Sequence, residues 1–215
     1  MKIMIFLPGT SIMHKNAAGL VREERVQQFF DGDQSLHDYA SYVPVDNAAT
    51  KLQHWHQQGA EIVYLSSHKN MEDVAKDEWV LRKYGFPTGP VFFRHSGEQY
   101  SDVAEAVLPD ILIEDDAKCI GGEIEMTYPH IKPEFKARIK SIVVAEFGGI
   151  DHLPDDVATL IRKVARQRIS VRHSRIFPEG LATILTKIGF DVLRFRKTLE
   201  IAKCSNQRIS FCGAC

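Results

Sequence analysis

Long apolar runs are missing from this chain of 215 residues. A helix that crosses a bilayer needs about 20 consecutive apolar residues, and no stretch of the sequence approaches that length. The start also lacks the marks of a secretory signal, because the apolar run after Lys2 stops at Leu7 and no small-residue cleavage site follows it. We therefore expect a cytoplasmic protein with no membrane partner.

Cysteine is scarce too, with four in the whole chain. Cys212 and Cys215 form one C-x-x-C pair at the end of the sequence. A single pair is half of a structural zinc site or a redox pair, and neither is specified without further context. The pair therefore predicts no particular function by itself.

Net charge is also nearly absent, since 27 Lys and Arg almost balance 28 Asp and Glu and the formal net charge is -1. The distribution is uneven, because residues 1–150 hold 15 Lys and Arg against 22 Asp and Glu, whereas residues 151–215 hold 12 against 6. A basic tail of this kind binds a polyanion such as nucleic acid, or docks on an acidic body. Docking is favoured, because the tail has few aromatic residues on which bases could stack. Nucleic acid stays the less favoured partner.

Short apolar runs alternate with segments of helical periodicity through the first part of the chain. Five such runs predict strands: 2–8, 61–67, 89–95, 110–116 and the start of 141–154. This alternation predicts a Rossmann-like α/β fold, with a mostly parallel sheet and helices on both of its faces. In the helical segment 70–86, the side chains predicted to face inward are Met71, Val74, Ala75 and Trp79.

The domain organisation follows from where this alternation holds and where it stops. We expect an α/β domain over residues 1–154, with a small insertion or cap at about 14–46 after the first strand. After Pro154 the pattern changes to basic amphipathic helices, with Asp155 or Asp156 as the first cap. Residues 155–215 are therefore predicted to form a C-terminal helical appendage.

Three of the predicted strands end in residues that can bind an ion or a phosphate. These are Gly9 and Thr10 after the first strand, Ser66 and Ser67 after the second, and Asp115 and Asp116 after the fourth. Ligands of parallel sheets bind beyond the carboxyl ends of the strands. Adjacent carboxylates suit a hard cation such as Mg²⁺, while hydroxyls and a glycine suit a phosphate group. A solvated turn is the structural alternative for the acid pair.

The three strand ends, in this order, resemble the haloacid dehalogenase-like (HAD) superfamily of phosphohydrolases and phosphotransferases. The segments "IFLPGTS", "IVYLSS" and "ILIEDD" take the places of its motifs, and the resemblance spans about residues 1–154. It implies a small phosphorylated ligand, a Mg²⁺ ion held by Asp115 and Asp116, and a phosphate held at the Gly, Thr and Ser positions named above. Arg94 is our candidate for the positive charge that the family takes from a lysine.

The first motif departs from the family pattern. The nucleophilic aspartate falls on Phe6 and the acid/base aspartate on Pro8. The family reaction passes through an aspartyl-phosphate, which needs a carboxylate to attack phosphorus in line. Two functions stay open on these residues. One is a divergent Mg²⁺-dependent phosphohydrolase acting on a phosphomonoester, and the other is a non-catalytic metal- or phosphate-ligand-binding or regulatory module.

A second acidic motif, "FFDGDQSL" at 29–36, could replace the missing one. Asp31 would then be the nucleophile and Asp33 the acid/base. Against this stands the preceding "REERVQQFF", which is charged and at best helical, whereas a nucleophile needs a rigid element to aim it. Asp-Gly-Asp is also a common turn composition. A further alternative is that the insertion folds Asp31 or Asp33 over the strand ends.

Overall fold

The structure, a computed structural model, describes residues 1–160 and residue 162. Its helices and strands follow the expected alternation, joined in places by short 3-10 turns. In chain order they are β1 (Lys2–Phe6), β2 (Ile12–Met13), α1 (Arg22–Asp31), β3 (Val43–Pro44), α2 (Ala48–Gln57), β4 (Glu61–Leu65), α3 (Met71–Lys83), β5 (Val91–Phe92), α4 (Tyr100–Val107), β6 (Ile111–Asp115), α5 (Pro133–Lys136) and β7 (Lys140–Val144).

Five of the strands form one parallel sheet, in the order β5-β4-β1-β6-β7. The central strand β1 is paired on both sides, with Met4 opposite Val63 of β4 and Leu112 of β6. Parallel strands covered on both faces read as continuous apolar runs, because both sets of alternating side chains are buried. The predicted Rossmann-like parallel sheet is confirmed.

Helices cover both faces of this sheet. Ile3 and Ile5 of β1 belong to a core cluster with Trp55 of α2, whereas Met4 belongs to a second cluster with Ala104 of α4. Successive side chains of a strand point to opposite faces, so a single strand supplies both cores. The expected layered arrangement is therefore present.

Helix α3 turns a different face to the core than its apolar residues predict. Val74 is buried as expected, but Met71 is 70% exposed and Trp79 is 53% exposed. The buried face instead includes Val80 and Asp77, and Asp77 is fully buried. Ala75 is exposed as well. The inward placement predicted for Met71, Ala75 and Trp79 is wrong, because the helix is rotated toward a buried polar contact described below.

Two short paired antiparallel strands stand at the beginning and the end of the insertion after β1. Strands β2 and β3 pair Ile12 with Pro44 and Met13 with Val43. Helix α1 lies within this segment and is fastened by Arg25, which is 6% exposed. Its guanidinium donates hydrogen bonds to the Phe147 carbonyl oxygen and to the Asp46 carboxylate. The insertion is thereby tied to the loop that follows β7.

The predicted appendage lies almost wholly outside the described residues, as do its C-x-x-C pair and all of its basic residues except Arg162. Its first turn begins at Asp156, whose carboxylate accepts hydrogen bonds from the backbone N–H and hydroxyl of Thr159. This is the cap expected at Asp155 or Asp156. Across residues 1–160 and 162, no helix combines the length and apolar content that spanning a membrane requires.

Candidate functional site

A cavity of about 210 Å³ lies at the carboxyl ends of the central strands. Phe6, Pro8 and Gly9 line it from the end of β1, and Asp115 and Glu146 line it from the ends of β6 and β7. From β1 the chain continues to β4, which lies on one side of β1 in the strand order. From β5 it returns to β6, which lies on the other side of β1. Ligand sites of open parallel sheets form at this kind of switch point. A cavity therefore lies at the strand ends where the sequence predicted a site.

The end of β1 brings an aromatic ring and a glycine to the cavity. The Phe6 ring packs edge-on against Tyr100, with centroids 5.0 Å apart. Gly9 has φ +82°, and a Cβ there would lie 2.9 Å from the Asp115 Oδ2 atom. Glycine accommodates both the left-handed backbone and the close contact. Gly9 thus allows close approach, but the atom that approaches is a carboxylate of the same chain.

Asp115 is a buried acid of the cavity whose carboxylate is held by two hydrogen bonds. It is 7% exposed, and its carboxylate accepts a 2.7 Å hydrogen bond from the Thr10 hydroxyl and a 2.9 Å bond from the Ala117 N–H. Burial raises the pKa of Asp115 to about 6, and the nearby carboxylates of Glu146 and Glu114 act in the same direction. Two predicted site residues, Thr10 and Asp115, therefore bind each other.

Asp116 takes a different direction from Asp115 and is not among the residues that line the cavity. Its carboxylate accepts a hydrogen bond from the Glu146 N–H and forms an ion pair with Lys118 at 2.9 Å. Partial burial opposes ionisation, but these donors outweigh it and hold the pKa of Asp116 below its usual value. The structure separates the two acids that were predicted to share a cation.

The hydroxyl of Ser66 is directed into the protein. Ser66 is fully buried and donates a 2.6 Å hydrogen bond to Asp77 of α3. The same oxygen accepts the backbone N–H of His68 at 3.1 Å. This pair is the polar contact that orients α3. Of the two serines after β4, only Ser67 lines the cavity.

Arg94 is held against an aromatic ring. Its guanidinium carbon lies 3.6 Å from the Tyr100 ring centroid, and one of its nitrogens donates to the Tyr100 hydroxyl at 2.9 Å. Tyr100 lines the cavity, but Arg94 does not. The positive charge expected at the site therefore stands behind the ring that forms its wall.

Asp31 and Asp33 are also absent from the cavity lining. Asp31 is exposed at the end of α1 and accepts a hydrogen bond from Gln27. Asp33 caps the next turn by accepting the backbone and hydroxyl hydrogens of Ser35. These hydrogen bonds lower the pKa of Asp33. Both acids have the local roles expected of a turn, and their catalytic roles stay predictions.

Two buried acids of the cavity were not predicted from the sequence. Glu114 is 2% exposed and accepts the N–H groups of Thr127 and Tyr128, while burial raises its pKa. Glu146 is 5% exposed and accepts the N–H of Cys119 at 2.7 Å. Glu146 follows β7 almost directly, so the rule applied to the other strand ends would have found it. Glu114 lies inside a strand, where no sequence signal marks it.

The acids at the strand ends are not arranged as ligands of a Mg²⁺ ion. A Mg²⁺ ion requires near-octahedral oxygen ligands. Here the acid pair is divided, since Asp115 lines the cavity whereas Asp116 lies outside its lining and is paired with Lys118. Among the described residues, no group of three or more His, Cys, Asp or Glu side chains could hold a metal ion. The described residues do not support the predicted magnesium site.

No protein-family profile and no curated protein sequence matches the chain. Among solved structures it is similar to the class C acid phosphatase from Bacillus anthracis with tungstate bound, at 12% identity and a TM-score of 0.43, over 77% of this chain and 78% of that one. It is also similar to a chain of the Pnkp1/Rnl/Hen1 RNA repair complex, at 13% identity and a TM-score of 0.41, over 67% of this chain and 43% of that one. A second structure of the Pnkp1/Rnl/Hen1 complex gives 15% identity and a TM-score of 0.42, over 67% and 46%. The chain thus spans under half the length of the two repair-complex chains, and membership of the HAD superfamily stays a prediction from the sequence motifs.

Proposed function

We propose that this chain is a ligand-binding module on a phosphohydrolase-like α/β fold, without phosphatase turnover through an aspartyl-phosphate. The observation that carries the proposal is the end of β1, where Phe6 and Pro8 line the cavity. A carboxylate nucleophile would have to stand at this point, aimed by the central strand. A phenyl ring and a proline cannot form the covalent intermediate.

Four of the other acids, namely Asp115, Glu114, Asp31 and Asp33, do not supply a replacement nucleophile. An attacking carboxylate needs a free oxygen held about 3–3.5 Å from phosphorus. Both oxygens of Asp115 accept internal hydrogen bonds, and so do both oxygens of Glu114. Asp31 and Asp33 make their contacts within the insertion. The geometry therefore favours binding over covalent catalysis.

The charge of the cavity supports the same conclusion. Its lining includes Glu114, Asp115, Glu125 and Glu146, and no lysine or arginine is among the described residues that line it. A phosphomonoester is a dianion near neutral pH, so these carboxylates repel it unless a cation intervenes. The small phosphorylated ligand suggested by the family resemblance is therefore not the ligand we propose.

A water-using phosphohydrolase is the second candidate, and one observation favours it. Asp115 faces the cavity, and burial raises its pKa to about 6. A carboxylate with such a pKa is suited to accept a proton from water near neutral pH. This candidate would be the divergent phosphohydrolase expected from the sequence, with Asp115 as its base.

Hydrolysis of p-nitrophenyl phosphate by the full chain, with and without Mg²⁺, separates these candidates. We expect no turnover above the background of the Asp115→Asn variant under either condition. Turnover in the wild type that is lost in Asp115→Asn would establish the water-using enzyme. Turnover lost in Asp31→Asn, but retained in an Asp38→Asn control on the same insertion, would instead make Asp31 the nucleophile. Either result overturns the binding-module proposal.

A further inference from the structure

The cavity at the strand ends presents buried hydrogen-bond acceptors without a positive charge to balance them. Glu114, Asp115 and Glu146 are 2%, 7% and 5% exposed, and all three line it. The guanidinium groups of Arg22 and Arg25 donate to the backbone carbonyls of Glu146 and Phe147, and neither is among the residues that line the cavity. Buried carboxylates are costly when no cation accompanies them. A ligand that brings its own positive charge would lower that cost.

His14 adds an independent sign that a hydrogen-bond donor is missing. It lines the same cavity, is 1% exposed, and its Nδ1 atom has no hydrogen-bond partner among the described residues. Its Nε2 atom lies 3.0 Å from the Gln28 side-chain oxygen, while the Gln28 amide nitrogen donates to the Asn16 carbonyl. Nε2 therefore carries a hydrogen, and in the neutral ring Nδ1 is an acceptor without a partner among the described residues.

Apart from Ser67 and Glu125, the rest of the lining is aromatic or apolar, and this composition favours one kind of cation over another. The rings are those of Phe6, Phe29, Tyr42, Tyr100 and Phe147. A bare hard cation needs a shell of oxygen ligands, which these side chains do not offer. An organic cation instead gains from contact with aromatic faces and from burial of its apolar part.

We propose that the cavity binds a small organic ammonium ion, a protonated primary amine with a compact apolar body. The inference rests on the proposed binding function, since it names the ligand class of the same cavity. Glu146 and the His14 Nδ1 atom supply acceptors for the ammonium hydrogens, Asp115 adds negative charge beside them, and the rings enclose the apolar part. The cavity of about 210 Å³ is larger than an apolar cavity of roughly 150 Å³ that binds benzene. It therefore has room for a small ring with a short substituent.

Isothermal titration calorimetry of the full chain at pH 7.5 tests the proposal with benzylammonium as the probe. Benzyl alcohol is the neutral match of the same shape, and MgCl₂ is the metal-ion arm. We expect benzylammonium to bind at least about tenfold more tightly than benzyl alcohol, which corresponds to one charged hydrogen bond. Equal affinity for the two, or heat from MgCl₂ alone, would overturn the proposal.

Two variants locate the binding at this cavity. Glu146→Gln should weaken benzylammonium binding about tenfold, whereas Glu134→Gln, an exposed acid on α5, should leave it within about twofold. If Glu146→Gln does not fold, His14→Phe serves, because it keeps an aromatic ring and removes the free Nδ1 acceptor. Unchanged binding in the folded variant overturns the site. No heat with benzylammonium overturns this inference alone, whereas phosphomonoester turnover overturns the binding-module function.

Discussion

Replacing Gly9 with alanine tests how closely the end of β1 approaches the acid of β6. The substitution has two separate costs. The first is conformational, because φ +82° lies in the left-handed region, where a side chain costs about 1–2 kcal/mol. The second is steric, because the new Cβ would lie 2.9 Å from Asp115 Oδ2 and 3.4 Å from its Cγ.

The steric cost is real only if the Asp115 carboxylate cannot move away. Hydrogen bonds from the Thr10 hydroxyl and the Ala117 N–H hold it in place. Inserting a methyl group into a packed position of this kind costs about 1–3 kcal/mol. We therefore expect Gly9→Ala to lower the free energy of unfolding by about 2–5 kcal/mol, measured by urea denaturation followed by circular dichroism.

Gly59→Ala is the matched control for the conformational cost. Gly59 has φ +89°, and a Cβ there would meet nothing within 4 Å. It should lose only about 1–2 kcal/mol. In an Asp115→Ala background, the extra loss caused by Gly9→Ala should disappear, as a double-mutant cycle would report. Equal losses at the two glycines, or an excess that persists without the Asp115 carboxylate, would refute the close approach.

Two further predictions concern charge. Asp115→Asn removes a carboxylate whose folded-state pKa, raised by burial to about 6, lies above its unfolded value near 3.8. The favourable contribution of Asp115 is complete below pH 3.8 and is lost as pH rises through 6. The stability of the variant relative to wild type should therefore rise by about 3 kcal/mol between pH 3.5 and pH 8, measured by urea unfolding, and no rise would contradict the burial of this charge. Arg25→Met should cost about 3 kcal/mol of unfolding free energy, because the buried guanidinium joins α1 to Asp46 and the Phe147 carbonyl. Arg82→Met, at an exposed side chain of α3, should stay within about 0.5 kcal/mol of wild type.

The sequence predicted the sheet well because its central strands β4, β1 and β6 are buried on both faces. The run 2–8 contains only apolar residues between Lys2 and Pro8, and the structure places β1 over Lys2–Phe6 in the middle of the sheet. A pattern of this kind depends on burial alone, which is a local property of the sequence. The order of the strands depends on which runs pair, and no local pattern states it.

The orientation of α3 could not be predicted for a related reason. Apolar periodicity assumes that charged residues face solvent, but Asp77 is fully buried. Its partner is the Ser66 hydroxyl, at 2.6 Å, which comes from the end of β4. Only the tertiary structure brings these two residues together. Once they pair, Met71 and Trp79 turn outward, and Ser66 no longer has a free hydroxyl for a ligand.

The same reasoning explains which part of the candidate site was predictable. The rule that ligands meet the carboxyl ends of strands placed Gly9, Ser67 and Asp115 at one cavity. The rule says nothing about whether a side chain turns to a ligand or to a neighbour. Thr10 has a hydroxyl in the expected position, and the hydroxyl donates to Asp115. Spacing therefore found the location of the site, while internal hydrogen bonds decided which residues are available there.

The way Asp115 is stabilised also explains why its burial does not require a metal ion. A buried carboxylate needs a cation or hydrogen-bond donors to offset its desolvation. In this chain, the Thr10 hydroxyl and the Ala117 N–H supply two donors. Their compensation is incomplete, because burial still raises the pKa of Asp115 to about 6. The remaining imbalance is a deficit of positive charge beside the aromatic rings of the cavity. The proposed ammonium ligand would offset that deficit and, unlike a metal ion, needs no fixed coordination geometry.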